Sequence, residues 1–123
     1  MEGEARWSVS PWVLFYGRGK KGYIRNMKRD DAIARLRAHE TEFRRLGVER
    51  LFLFGSTARD EAREDSDVDL FFDHPEGSLG LFELMDLKAR AAEILGRRAD
   101  VMTRRSLHER LRPAIEATAV VVF

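Results

Sequence analysis

Cysteine is absent from the chain, which excludes disulfides and thiolate zinc sites and fits a reducing compartment. Long hydrophobic runs are absent as well. The best near the start, Trp12–Tyr16, is too short for a signal-peptide core and far below the ~20 residues of a membrane helix. A cytoplasmic protein with no membrane contact is the expectation. Excess charge of one sign is missing too: a net charge of +1 gives no broad cationic surface, so direct nucleic-acid binding is not expected. The three histidines, His39, His74 and His108, show no metal-ligand spacing. Tryptophan and tyrosine are missing after residue 23: Trp7, Trp12, Tyr16 and Tyr23 all fall in the first 26 residues. That segment is also locally basic (Arg6, Arg18, Lys20, Lys21 and Arg25 against Glu2 and Glu4). We expect residues 1–26 to be an appendage, whether an upstream-start extension, a flexible arm or an added hairpin. The folded domain is expected at 27–123. Gly17–Gly22 fits the G-x-G-x-x-G pattern, yet no helical period opens within it, so a basic loop is expected rather than a dinucleotide site.

What is present is a regular alternation of helical and extended patterns. Asp30–Leu46 reads as one amphipathic helix, with Asp30 as N-cap, Ile33, Leu36, Phe43 and Leu46 as its stripe, and Gly47 as its stop. Glu40 interrupts that stripe. Val48–Phe54 reads as a strand buried on both faces, Ser56–Arg63 as a helix of about two turns, and Asp67–Phe72 as a second strand. His74–Gly80 is loop-like. Leu81–Leu95 follows as a long helix with Leu84, Leu87, Ala91 and Ile94 inward and Gly96 as its stop. Ala99–Met102 is a third strand. Ser106 is expected to cap a short helix, Pro113 to sit in the first turn of another, and Val120–Phe123 to close the chain as a strand. The fold class is α/β (α+β): a small mixed sheet of about four strands with flanking helices.

The chemistry concentrates between Leu51 and Asp73. A short apolar run leads into Gly55-Ser56, and ten residues later Asp67-Val68-Asp69 opens a second apolar run. Alternate residues of a strand share a face, so Asp67 and Asp69 point the same way. Two such carboxylates repel, and a divalent cation removes the repulsion. Mg²⁺ takes hard oxygen ligands, usually one or two carboxylates completed by substrate phosphates and water. Gly55 permits close approach of backbone to a phosphate, Ser56 adds a hydroxyl, and the helix start behind them favours an anion. A metal–nucleotide site follows from these residue types.

Gly55-Ser56, the ten-residue interval, Asp67-Val68-Asp69 and Asp100 on a later strand together resemble the nucleotidyltransferase superfamily related to DNA polymerase beta. The fuller stretch Gly55–Leu70 is similar to its minimal nucleotidyltransferase (MNT) group, often paired with HEPN-domain toxins in toxin–antitoxin modules. The resemblance covers about residues 28–123; Asp60 stands where many relatives carry glycine. It implies the nucleotidyltransferase fold, with Asp67, Asp69 and Asp100 holding two Mg²⁺ ions and Asp100 helping to deprotonate the nucleophile. Gly55 and Ser56 would hold the terminal phosphates of ATP. Arg59 and Arg63, taken as one helical turn apart, would either neutralise the leaving pyrophosphate or pair with Asp60, Glu61 or Glu64 on a solvated face. The implied reaction is AMP transfer from ATP to a tyrosine hydroxyl of a HEPN toxin, which silences it. The alternatives are an antitoxin that masks its partner by binding alone and an enzyme acting on a small hydroxylated molecule. The short chain leaves no room for a second, acceptor-binding domain, so the acceptor surface is expected to come mostly from a partner protein.

Overall fold

The computed structural model of the protein describes residues 27–77 and 79–123, so the expected appendage at 1–26 and its Gly17–Gly22 loop lie outside the described residues. Period-two burial makes the strands. Arg50–Phe54 (β1) buries Leu51 and Leu53, and Val68–Asp73 (β2) buries Val68, Leu70 and Phe72 on the same side. Ala99–Thr103 (β3) and Val120–Val121 (β4) complete one sheet in the order β3-β2-β1-β4. It is mixed: β1 runs antiparallel to β2 and to β4, whereas β2 and β3 are parallel. Parallel neighbours need a crossover, and Leu81–Leu95 supplies it. The four-stranded mixed sheet with helices matches the expected fold class.

The helices are Arg29–Arg37 (α1), Glu40–Arg45 (α2), Gly55–Ala58 (α3), Leu81–Leu95 (α4) and Arg112–Thr118 (α5), with a 3₁₀ turn at Arg104–Ser106. Leu36 of α1, Phe43 of α2 and Leu87, Ala91, Ile94 and Leu95 of α4 share one core with Leu51, Leu53, Leu70, Phe72 and Val122. Helix α4 has the expected limits, and Gly96 closes it in the left-handed conformation at φ 72°. Pro113 lies in the first turn of α5, as expected.

Several elements differ from the expectation, each for a local reason. The single helix over Asp30–Leu46 is two helices broken at Ala38-His39. A continuous helix would carry Glu40 along the stripe one turn beyond buried Leu36; the break turns Glu40 outward to pair with Arg44 at 2.7 Å. Asp30 is not the N-cap, because Lys28 holds that position. The Arg29 N–H instead donates to the Asp60 carboxylate at 2.6 Å. The two-turn helix over Ser56–Arg63 is one turn ending at Ala58, and Asp60 turns the chain in the left-handed region at φ 58°. Asp60 therefore lies outside the helix, at a position where glycine would carry no steric cost.

The first strand begins at Arg50 rather than Val48, and only one of its faces is fully buried. Phe52 and Phe54, on the other face, are half-buried. Phe52 stacks on Phe71 with ring centroids 4.7 Å apart, and the Arg104 guanidinium covers both rings at 4.9 and 5.0 Å. Ser106 caps nothing; it ends the 3₁₀ turn, and its N–H donates to the Thr103 hydroxyl at 3.2 Å. The last strand is shorter than expected. Its pairing still continues through the bonds Val122 N–H to Leu51 carbonyl (2.8 Å) and Leu51 N–H to Phe123 carbonyl (3.2 Å).

Candidate active site

Sheet register assembles the site. Asp69 lies opposite Phe54 on β1 and opposite Asp100 on β3, so two carboxylates stand side by side at adjacent strands' matching positions. Asp67 precedes β2 and is exposed, Asp100 is exposed, and Asp69 is half-buried. Burial pushes the Asp69 carboxyl up to about 6; the negative charges of Asp100 and Asp67 add to this, and the cation of Arg59 opposes it. A carboxylate kept in that state is destabilised by its like-charged neighbours.

Gly55 follows Phe54 directly, at φ 77°. A Cβ there would strike the Asp69 carboxylate, 3.2 Å from Cγ and 3.3 Å from Cβ, so glycine is required both by conformation and by space. Ser56 lies in α3 beside it, half-buried. Gly55 therefore meets Asp69 at one end of the sheet, as the spacing implied for the turn and the Asp67/Asp69 carboxylates, and Asp100 stands beside Asp69 there. Thr57, next in the chain, is fully buried, and its hydroxyl has no hydrogen-bond partner.

The two arginines are not one helical turn apart, though Arg59 makes one of the expected surface pairs. Because α3 stops at Ala58, Arg59 and Arg63 do not share a helical face. Arg59 pairs with Glu61 at 2.9 Å, and its charge still reaches Asp69. Arg63 holds the connecting loop through its backbone, with its N–H on the Ser66 hydroxyl at 2.9 Å and its carbonyl accepting from Arg97 at 3.1 Å.

Arg98 was not singled out from the sequence, yet it pairs with Asp67 at 3.1 Å. The register explains the pair: Val68 lies opposite Ala99 in a parallel pair, which puts the preceding residues, Asp67 and Arg98, next to each other. With Asp67 drawn to Arg98, no group of three or more metal-binding side chains stands ready-made among the described residues. The donor set nevertheless fits Mg²⁺. Asp69 and Asp100 are hard oxygen donors whose mutual repulsion a cation would relieve, and one or two carboxylates suffice when phosphates supply the rest. The arrangement can hold a polyphosphate against a hard cation.

Comparison with known proteins agrees. Residues 36–122 match the nucleotidyltransferase domain family. The chain belongs to this family of transferase enzymes. A protein of Methanocaldococcus jannaschii, provisionally named a protein adenylyltransferase, is 42% identical over 77 residues, covering 63% of this chain and 82% of its own. The protein adenylyltransferase MntA of Thermococcus cleftensis is 41% identical over 73 residues, covering 58% and 73%. Among solved structures, one provisionally described as a minimal nucleotidyltransferase is 38% identical, with a TM-score of 0.67 over 76% of this chain and 95% of its own. A toxin–antitoxin structure with AMP-PNP shares the fold at a TM-score of 0.58 and 18% identity, over 71% and 72% of the two chains.

Proposed function

We propose that the protein is a Mg²⁺-dependent adenylyltransferase that moves AMP from ATP to a tyrosine hydroxyl of a HEPN-domain toxin and thereby neutralises it in the cytoplasm. The observation that carries this reading is the register that sets Asp69 beside Asp100 with Gly55 against the Asp69 carboxylate. The names of the relatives as protein adenylyltransferases support AMP as the transferred group and a protein as the acceptor.

In this reading the acceptor oxygen attacks the α-phosphorus of ATP, a new P–O bond forms, and the bond from the α-phosphorus to the bridging oxygen breaks to release pyrophosphate. Asp100, exposed at the sheet edge, takes part in removing the hydroxyl proton. Gly55 and Ser56 seat the terminal phosphates, and Arg59 adds positive charge beside the carboxylates. Asp67, Asp69 and Asp100 would hold two Mg²⁺ ions, which when bound neutralise the charge that builds on the phosphates. Arg63 is left to loop structure and to the outer phosphates. The folded unit begins at Met27, and the buried Met27 side chain supports that limit. A chain of residues 27–123 that fails to fold would overturn it.

Intact-mass measurement of the neighbouring gene's product, co-expressed with this chain or its Asp67→Asn/Asp69→Asn variant, tests the function. Mass added in whole nucleoside-monophosphate steps, only with the carboxylates intact, is the expected result. An unmodified partner that co-purifies and stays silent would replace catalysis with masking.

A further inference from the structure

Helix α4 has two apolar faces, and the core uses only one. Leu87, Ala91, Ile94 and Leu95 are buried in the core, and Glu83, Asp86, Arg90 and Glu93 form a charged side on which Arg90 pairs with Glu42 of α2 and with Glu93. Between them a second strip runs along the helix: Leu81, Met85, Ala89 and Ala92, at spacings of four, four and three. Phe82 borders it. Leu81, Phe82 and Met85 are 69%, 78% and 55% exposed, and the other exposed large apolar residues among those described, Leu111 and Val121, lie far off in the chain. Contiguous apolar exposure of this kind marks an interaction surface rather than ordinary surface scatter.

The strip leads to the reactive carboxylates. A groove lined by Met85, Ala89, Ala92 and Ala99 also has Asp67 and Asp100 in its wall, with Lys88 and Arg98 as its cations. Its apolar lining is one methionine, Met85, and three alanines, Ala89, Ala92 and Ala99. A group reaching Asp100 along this route crosses the strip first.

We propose that this outer strip of α4 is the docking surface for the acceptor protein: an apolar segment of the partner lies on Leu81, Phe82 and Met85 and passes its hydroxyl-bearing side chain over the alanines to the carboxylates. The proposal rests on the adenylyl-transfer reading given above. Continuity of the groove with Asp67 and Asp100 selects a partner that reacts there over one that only covers apolar surface.

The test uses the full chain and the product of the neighbouring gene, with Phe82→Glu and Met85→Glu as variants. Both positions are exposed, so the fold tolerates the change. The affinity of each variant for AMP-PNP should stay within about twofold of the parent, while its affinity for the partner falls by about tenfold or more. The transfer rate should show that loss as a raised KM for the partner at nearly constant kcat. An unchanged KM and partner affinity would overturn the proposal. Hydrogen exchange separates it from the transfer reading: partner-dependent protection of residues 81–92 upholds the surface even if no AMP is transferred, and protection elsewhere overturns it. Protection of 81–92 in the isolated chain that is lost on removing residues 1–26, or that rises with the chain's own concentration, would assign the strip to the chain's own segment or to a second copy and overturn it.

Discussion

Replacing Asp69 by Asn should make the metal-free protein more stable while abolishing transfer. The folded environment raises the Asp69 carboxyl from 3.8 to about 6, so ionised Asp69 is worse off in the folded chain than in the unfolded one. A shift of about two units corresponds to at most about 3 kcal/mol, and water at the half-exposed carboxylate reduces this to about 1 kcal/mol. The sign follows from proton linkage. With the folded pKa raised, the folded state binds more protons between pH 3.8 and about 6, so stability falls as pH rises through that window. Asn cannot ionise and escapes the loss. Urea unfolding in EDTA near pH 7.5 should place Asp69→Asn about 1 kcal/mol above the parent, and the gap should narrow toward pH 4 and close well below 3.8, where Asp69 is protonated in both states. Mg²⁺ should stabilise the parent and not the variant. A variant no more stable at pH 7.5, or a gap that does not shrink on acidification, would refute the electrostatic account of the site.

Gly55→Ala should lower stability by about 1–2 kcal/mol through its left-handed φ, and displacement of the Asp69 carboxylate should lower AMP transfer further; urea unfolding and labelled-ATP assays read the two separately. Asp60 combines φ 58° with a hydrogen bond to the first N–H of α1, so Asp60→Gly loses the cap but gains conformational freedom and should be nearly neutral. Asp60→Ala keeps the strain and loses the cap, and should unfold at lower urea, by about 1 kcal/mol relative to the glycine variant. Arg104→Ala removes pairs to Asp73 (2.7 and 3.0 Å) and Glu116 (2.7 Å) and uncovers Phe52 and Phe71; a loss of about 1–2 kcal/mol with nucleotide affinity unchanged is expected from urea unfolding and AMP-PNP titration.

The parts of this molecule legible from sequence are those where one local rule decides. The limits of α4 are set by its apolar period and by Gly96, and no distant partner competes with either. The closeness of Gly55 to Asp69 was legible because a glycine turn between two strands returns the second strand's start to the turn. What escaped prediction depends on contacts between segments far apart in the chain. The break at Ala38-His39 reflects the need to bury Leu36 and Phe43 while keeping Glu40 outside. The early end of α3 is coupled to Asp60, whose carboxylate serves a helix 31 residues earlier. Arg98 became visible as a partner of Asp67 only through the parallel register of β2 and β3.

The same register also shows what the site leaves unbalanced. One face of the sheet satisfies itself: Leu51, Leu53, Leu70 and Phe72 pack into the helices. The other ends in Asp69 and Asp100 at matching positions, where the fold supplies repulsion that Arg59, near Asp69, and Arg98, on Asp67, compensate in part. Arg98 holds Asp67, so a cation that recruited Asp67 beside Asp69 and Asp100 would displace this exposed pair, a small cost beside the repulsion it relieves. The strip on α4 is the apolar counterpart of that unfinished electrostatics. Met85, Ala89 and Ala92 of the strip line one groove with Asp67 and Asp100, and in the proposed reading both features would be completed from outside the chain: cation and phosphates at the carboxylates, a partner's apolar segment at Leu81, Phe82 and Met85.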